Sequence, residues 1–407
     1  MKIVYAVMGA AFFCSIIFLS INRNLNKDEI SDTALVYKEA QSHILQGDYF
    51  ENFKIGADNY DLEYTIDKDL DSYVRMLLKR YKSDYSAVVV IQKDTAEILA
   101  AVGYEGTNST FNDMLAFSST HPSASLIKIV TAAELLEDSD VDGDQKFEFS
   151  GKGSTLYKYQ LKEPRARWKR STTLEKAFAH SNNVVFAKAA IGNLTPEELF
   201  KRATLFGFNR NILADIKITP SKFNIAKDNF GFAELASGFN TQTLIGPIHG
   251  ALLSNIVANN GVFMFPRLIK SIKLNGNVLD TPRVEATHAM AADTAIAIQK
   301  MMSRTIENGT ARKSFRGMRK RYGEIEMGGK TGSITGGIPE GKRDWFTAYA
   351  YDPEGTGIAI CVMSINIKKW HVKSSYLSRK IIEYYFSKKR AKNLADKKRR
   401  EQKIVKL

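Results

Sequence analysis

Ser125 and Lys128 stand three residues apart within Pro122 to Leu136, a stretch reading Pro-Ser-Ala-Ser-Leu-Ile-Lys-Ile-Val-Thr-Ala-Ala-Glu-Leu-Leu. In a helix, positions i and i+3 share a face, so the lysine amine lies beside the serine hydroxyl as an activated nucleophile requires. The same spacing also arises by chance, and a serine at a helix start is commonly a cap. Later segments add to the pair. Ser181-Asn182-Asn183 follows 56 residues after Ser125, and Lys330-Thr331-Gly332-Ser333 begins 205 residues after it. A hydroxyl nucleophile, two amines, and further hydroxyl and amide groups can together carry out acyl transfer through a covalent intermediate.

The elements that must position these groups follow from pattern. Asp67 caps a helix to about Tyr81, with Leu70, Tyr73, Val74, Leu77 and Leu78 at helical spacing, and Leu62 to Ile66 reads as a short strand. Ser86 to Gln92 and Glu97 to Val102 are β-branched runs around Lys93 to Ala96, an antiparallel hairpin. Thr172-Thr173-Leu174-Glu175 reads as a capping box opening an amphipathic segment, and Thr195-Pro196-Glu197-Glu198 opens another that stops at Gly207. Between them, Ser181 to Asn183 interrupt a helical pattern. Residues 246–259 and 289–307 read as helices; Glu324 to Met327, Trp345 to Tyr351 and Gly357 to Ile365 read as strands, before a helix from about Ser374 to Phe386. Lys330 and Thr331 fall on a predicted strand.

No repeat appears, and no Pro/Gly/Ser-rich linker interrupts residues 60–386. That length exceeds what one core usually fills, which predicts two lobes, one sheet-based and one helical, with the site between them. The fold class is α/β of the α+β type: an antiparallel sheet flanked by helices, plus a mostly helical lobe.

The chain has 407 residues, 44% hydrophobic and 25% charged, a globular composition with a net charge of +14. Cys14 and Cys361 lie in separate apolar runs, so no disulfide framework is expected. The charge is uneven: Ser387 to Leu407 carries ten basic residues against two acidic ones. Such a run is read either as attachment to anionic phospholipid, wall polymer or nucleic acid, or as a solvated helical or disordered terminus. Ile3 to Ile21 is 19 residues without charge, enough to span a bilayer as one helix. A cleavable signal has a shorter apolar region and a small-x-small site; Ser20-Ile21-Asn22 supplies only a poor one, so an uncleaved anchor is expected. Asn22 to about Tyr60 is polar and reads as a stalk carrying at most one short helix.

Taken in order, Ser125-x-x-Lys128, Ser181-x-Asn183 and Lys330-Thr331-Gly332 resemble the active-site signature of the penicillin-recognising serine acyl-enzymes. From about Leu62 to Phe386 the chain resembles the transpeptidase domain of bacterial penicillin-binding proteins. Ala87 to Ile91 with Glu97 to Ala100, Val184 to Ala187, Glu307 to Lys313 and Asp344-Trp345-Phe346 add to the likeness. The organisation resembles a reduced member lacking a glycosyltransferase module: an anchor at 1–21, a stalk at 22–60, a β-lactamase/transpeptidase-like domain at 61–386, and a basic tail at 387–407.

The resemblance implies a D,D-transpeptidase that cross-links peptidoglycan through D-Ala-D-Ala stem peptides and is inhibited by β-lactams. Ser125 is then the nucleophile, near a helix N-terminus, and Lys128 the base, provided a neighbour such as Lys330 or burial lowers its pKa. Ser181 passes the proton between Lys128 and the leaving nitrogen, and Asn183 holds the substrate amide. Lys330, Thr331, Gly332 and Ser333 receive the terminal carboxylate, Gly328, Gly329 and Gly332 let the strand approach a ligand, and the N–H groups of Ser125 and Ser333 form the oxyanion hole. The resemblance implies no cofactor, metal or nucleic acid. It further implies a single-pass protein of the bacterial cytoplasmic membrane, its catalytic domain and tail outside, working beside a glycan-polymerising glycosyltransferase. The sequence departs from the family at Ser237-Gly238-Phe239-Asn240, where Gly-Gln-Gly is frequent, and at Asp344, which directly precedes Trp345.

Rival functions separate on particular residues. A class A β-lactamase carries a deacylating glutamate past its Ser-x-Asn motif, whereas this chain reads Ala214-Asp215-Ile216-Lys217-Ile218-Thr219 there. A D,D-carboxypeptidase shares every motif and differs only in giving the acyl group to water. A catalytically silent scaffold would have no need of Ser125, Lys128, Ser181, Asn183 and Lys330.

Overall fold

The computed structural model describes residues 33–282 and 285–404. They fall into a small unit, the chain up to Tyr64 with Ile269–Pro282, and a larger one, Thr65–Leu268 with the chain after Pro282. The expected anchor, Ile3 to Ile21, lies outside the described residues. Among those residues no helix is long and apolar enough to cross a membrane.

In the small unit a helix over 33–45 accompanies a four-stranded antiparallel sheet, ordered Asn52–Ile55, Asp58–Tyr64, Ile269–Leu274, Asn277–Asp280. Tyr60 and Leu62 are buried, and Leu62 stands opposite Ile272. The polar stretch expected as a stalk therefore carries strands, and the expected boundary at residue 61 falls inside one of them. The reason is nonlocal: the alternation Tyr60, Leu62, Tyr64 makes one half-buried face, and the strand that completes it comes some 200 residues later.

In the larger unit, α1 (Lys68–Tyr81) starts where the Asp67 carboxylate accepts the N–H groups of Asp69 and Leu70. The hairpin of β1 (Tyr85–Gln92) and β2 (Ile98–Glu105) follows, then the short β3 (Thr110–Phe111). The helical part comprises α2 (Lys128–Glu137), α3 (Asn183–Asn193), α4 (Pro196–Leu205) and α5 (Asn229–Ser237). After α6 (Pro247–Ala258) and α7 (Ala292–Glu307) come β4 (Glu326–Thr335), β5 (Lys342–Tyr351), β6 (Gly357–Asn366) and α8 (Ser374–Ile404). The six strands form one antiparallel sheet in the order β4-β5-β6-β1-β2-β3, with β4 at an edge. Leu70 and Val74 of α1 and Leu377 and Ile381 of α8 pack on Val88, Val102, Phe346 and Ile360 over one sheet face. The buried α6 lies on the sheet as well, its Ser254 Oγ donating to the Ala348 carbonyl and its Gly250 carbonyl accepting from Thr347 Oγ1.

Helix α8 runs on past Phe386, where a stop was expected, and the first basic residues beyond Phe386 are neutralised locally: Lys388 pairs with Asp69, Lys389 with Asp352 and Arg390 with Glu324. Thr173 caps the helix Leu174–Ala179 through Lys176 N–H, without the reciprocal bond of a full capping box. Thr195 does form the full box at α4 with Glu198.

Helix α2 is held at its far end by Arg202 of α4. The guanidinium, 5% exposed, donates to Glu134 and Asp138 at 2.5 Å each and to Glu137 at 3.1 Å. Removing the cation leaves Glu134 buried and unpaired, so Arg202→Met is expected to cost about 3 kcal/mol of stability, read as a lower denaturant midpoint. An unchanged midpoint would show that the cluster does not hold α2.

Candidate active site

The chain enters the site as the short strand His121–Pro122, followed by a 3-10 turn, Ala124–Ile127, and α2 begins only at Lys128. Ser125 therefore precedes the α-helix, where a position inside it had been expected. The change tightens the pair, because three residues per turn stack i directly over i+3. Lys128 Nζ lies 2.8 Å from Ser125 Oγ.

Two further acceptors hold the same nitrogen. Asn183 Oδ1 is 2.7 Å away and the carbonyl of Ser237, at the end of α5, is 2.5 Å away. A protonated lysine has three N–H donors and satisfies all three partners. A neutral amine has two, and among the three partners only Ser125 has a proton to give back. The carbonyl oxygens of Asn183 and Ser237 thus fix two N–H bonds and turn the lone pair toward the Ser125 hydroxyl.

Sequence marked Ser237 only as part of a departure from the family pattern and not as a partner of Lys128, because a backbone carbonyl leaves no residue-type signal. Its neighbour Gly238 does leave one, as the left-handed residue that closes α5 at φ 69°. A side chain there would put its Cβ 2.0 Å from the Ala124 carbonyl oxygen, so Gly238 also lets α5 end against the Ser125 turn.

Ser181, at φ 54°, sits in the break between Leu174–Ala179 and α3, and Asn182 caps α3 by accepting the Val185 N–H. Asn183, expected to hold a substrate amide, is engaged by the protein on both sides. Its Oδ1 accepts from Lys128, its Nδ2 donates to the Ser154 carbonyl at 3.1 Å, and its backbone N–H donates to the Gly153 carbonyl at 2.6 Å.

On β4, Lys330 Nζ donates to Ser181 Oγ and to the Thr331 carbonyl, both at 2.9 Å. Ser181 thus takes its bond from Lys330 and not from Lys128. Thr331 Oγ1 lies 2.7 Å from Thr310 Oγ1, a partner that sequence reasoning missed. The glycines expected to admit a ligand face protein instead. A Cβ on Gly328 would meet Tyr349, one on Gly329 the Phe346 ring, and one on Gly332 the Cβ atoms of Trp345 and Ala124. Strand β4 thereby lies against the Ser125 turn, and Trp345 Nε1 ties the sheet to that turn through the Pro122 carbonyl at 3.0 Å. Ser333 is exposed beside Gly332 and lines, with Asp228, Glu234 and Phe239, a cleft of about 1030 Å³.

Lys128 and Lys330 are both fully buried. Burial is the larger cause that holds Lys128 well below the ordinary lysine pKa, and the Lys330 charge adds to it. Of the two causes expected from sequence, burial thus outweighs the neighbouring cation. Burial likewise brings Lys330 down to about 7.

This fold and this hydroxyl–amine cluster suit the penicillin-recognising serine acyl-enzymes, transpeptidases among them. Residues 86–382 match the family model of the penicillin binding protein transpeptidase domain, and the chain belongs to that family. It is 26% identical over 220 residues to penicillin-binding protein 1A of Clostridium novyi (strain NT), a match taking in 53% of this chain and 22% of that relative's length. The structure is similar to the D,D-transpeptidase domain of a peptidoglycan glycosyltransferase from Eggerthella lenta, with a TM-score of 0.66 and 21% identity over 81% of this chain and 84% of that one. It is also similar to penicillin-binding protein A of Mycobacterium tuberculosis in its penicillin G acyl-enzyme complex, with a TM-score of 0.64 and 18% identity over 80% and 81% of the two chains. At such identities the likeness shows a shared fold.

The buried Lys330 has a consequence for stability. An unfolded lysine keeps its proton up to about 10.5, whereas folded Lys330 releases it near 7. Between those values the unfolded chain binds more protons, so this residue's contribution to stability rises with pH across the window. Lys330→Met is expected to be more stable than the parent at pH 7, by about 2 kcal/mol or more, with the gap closing toward pH 10. A gap that does not change with pH would contradict the burial argument.

Proposed function

We propose that the chain is a peptidoglycan D,D-transpeptidase working through a Ser125 acyl-enzyme. The observation that carries this reading is the fully buried Lys128 amine 2.8 Å from Ser125 Oγ, held so that its lone pair faces that hydroxyl. Neutral Lys128 takes the Ser125 proton as Oγ attacks the carbonyl of the penultimate D-Ala of a stem peptide. The oxyanion is received by the N–H groups of Ser125 and Ser333. As the peptide bond breaks, the leaving D-Ala nitrogen takes a proton from Ser181, which Lys330 replenishes across its 2.9 Å bond. Lys330 with Thr331 and Ser333 attracts the terminal carboxylate of the substrate. An amine from a second stem then attacks the acyl-enzyme, its proton passing through Ser181 back to Lys330, and Ser125 is released with its own proton returned from Lys128.

The same attack of Ser125 on a β-lactam ring gives an acyl-enzyme, the state in which the Mycobacterium tuberculosis protein is seen with penicillin G. The loop at Ala214 to Thr219 offers no glutamate to activate a deacylating water, which favours a long-lived adduct. By family analogy the domain works outside the cytoplasm on an amino-terminal anchor, beside a glycan-polymerising enzyme. The closest rival, a D,D-carboxypeptidase, uses the same groups with water as acceptor.

Fluorescent penicillin is expected to label the full chain and to leave Ser125→Ala unlabelled. Lys128→Ala should acylate about 10²–10⁴-fold more slowly, the usual contribution of a general base. A band that survives Ser125→Ala would overturn the reading. Incubation with a pentapeptide ending in D-Ala-D-Ala, with and without an amine acceptor, separates the two activities: a cross-linked product supports transpeptidation, and hydrolysis unaffected by the acceptor would replace it with carboxypeptidation.

A further inference from the structure

Residues 150–170 lie beside α3 and are tied into a platform. Gln160 is fully buried and ties the segment together, accepting the Tyr157 N–H at 2.9 Å and donating to the carbonyls of Ser150 and Lys152 at 3.1 and 3.2 Å. Leu156 anchors it in a small core with Ala187 and Ala233. The platform's outer surface is basic and aromatic. Lys162, Arg165, Arg167, Lys169 and Arg170 line an open cavity of about 740 Å³ together with Trp168, which is 58% exposed. The Arg167 guanidinium stands 4.5 Å over the Trp168 ring and that of Arg170 stands 4.8 Å over Phe149, while the exposed rings of Tyr157 and Tyr159 stack on each other.

A run of charges alone is usually a solvated surface. Three features go beyond that here. Glu163 is taken by Lys188 and Lys169 by Glu148, yet among the described residues no carboxylate lies within ion-pair distance of Lys162, Arg165, Arg167 or Arg170. The guanidinium groups of Arg167 and Arg170 are laid on rings, which pre-organises them, and the exposed Trp168 sets a flat aromatic face beside cations. The platform is also continuous with the site, because its Gly153 and Ser154 carbonyls hold Asn183, the partner of Lys128.

Flat rings offer a surface to the apolar faces of sugars, and clustered guanidinium groups bind carboxylates. We infer that this platform docks the peptidoglycan strand that carries the stem peptide entering at Ser125, with its rings against the sugars and its guanidinium groups against free carboxylates of the stems. The inference rests on the transpeptidase reading and adds to it a second contact for the same substrate. A lipid surface would call for apolar side chains inserted between the cations, and the aromatic groups here lie stacked on each other or under guanidinium groups.

The test is cosedimentation of the full chain with peptidoglycan sacculi stripped of phosphodiester polymers by hydrofluoric acid. The parent should pellet, with affinity falling as salt rises. The variant carrying R165E and R167E, and separately W168A, should bind at least tenfold more weakly while labelling with fluorescent penicillin at the parent rate. Sedimentation of both variants like the parent would overturn the inference, as would binding only to unstripped sacculi, or tighter binding to anionic vesicles or to single-stranded DNA than to stripped sacculi. Penicillin labelling separates the two ideas: its absence in the parent sinks the catalytic reading, whereas its presence in variants that still sediment sinks only the docking surface. If the charge-reversal variant lost labelling through misfolding, W168A, which truncates one exposed ring, would decide alone.

Discussion

A lysine amine sealed from water, with three oxygens around it, is the constraint on which the rest of the site depends. Burial makes the charged form of Lys128 costly, and its partners offer a place for a proton from only one direction, the hydroxyl of Ser125. Each partner comes from a different element: the 3-10 turn supplies Ser125, the start of α3 supplies Asn183, and the end of α5 supplies the Ser237 carbonyl. The geometry exists only while those three ends converge, so its precision is a property of packing.

That convergence has identifiable supports. The missing side chains of Gly238 and Gly332 let α5 and β4 approach the Ser125 turn, and Trp345 ties that turn to the sheet. Arg202 holds the opposite end of α2 against α4. Lys330 is buried on β4 and bonded to Ser181, so the site contains two lysines whose environments lower both pKa values, with Lys128 facing Ser125 and Lys330 facing Ser181. Groups arranged this way can divide the roles of base and acid between them.

The site was legible in sequence to the extent that side chains carry it. Ser125, Lys128, Ser181, Asn183 and Lys330 stand together as their order and spacing suggested, and the hairpin and the helix after Asp67 follow from local periodicity. What escaped has physical reasons. Ser237 acts through a carbonyl, which any residue possesses. The glycines of β4 looked like room for a ligand, yet they make room for neighbouring side chains, a distinction set by tertiary packing. The sheet of the small unit joins strands some 200 residues apart, and no local window contains both. The 3-10 turn at Ser125 differs from a helix by one hydrogen-bond register, which apolar spacing alone does not resolve.

Acylation at Ser125 as proposed needs Lys128 as a neutral amine, which its burial in this fold favours. The most direct measurement is an NMR titration of the full chain with ¹³C at lysine Cε, with the Lys128 signal assigned by its loss in Lys128→Met. The account predicts that this resonance titrates well below the ordinary lysine value of about 10.4. It also predicts that the midpoint falls further when Lys330 is protonated than when it is replaced by methionine. A Lys128 signal that stays protonated up to the ordinary lysine range would contradict it.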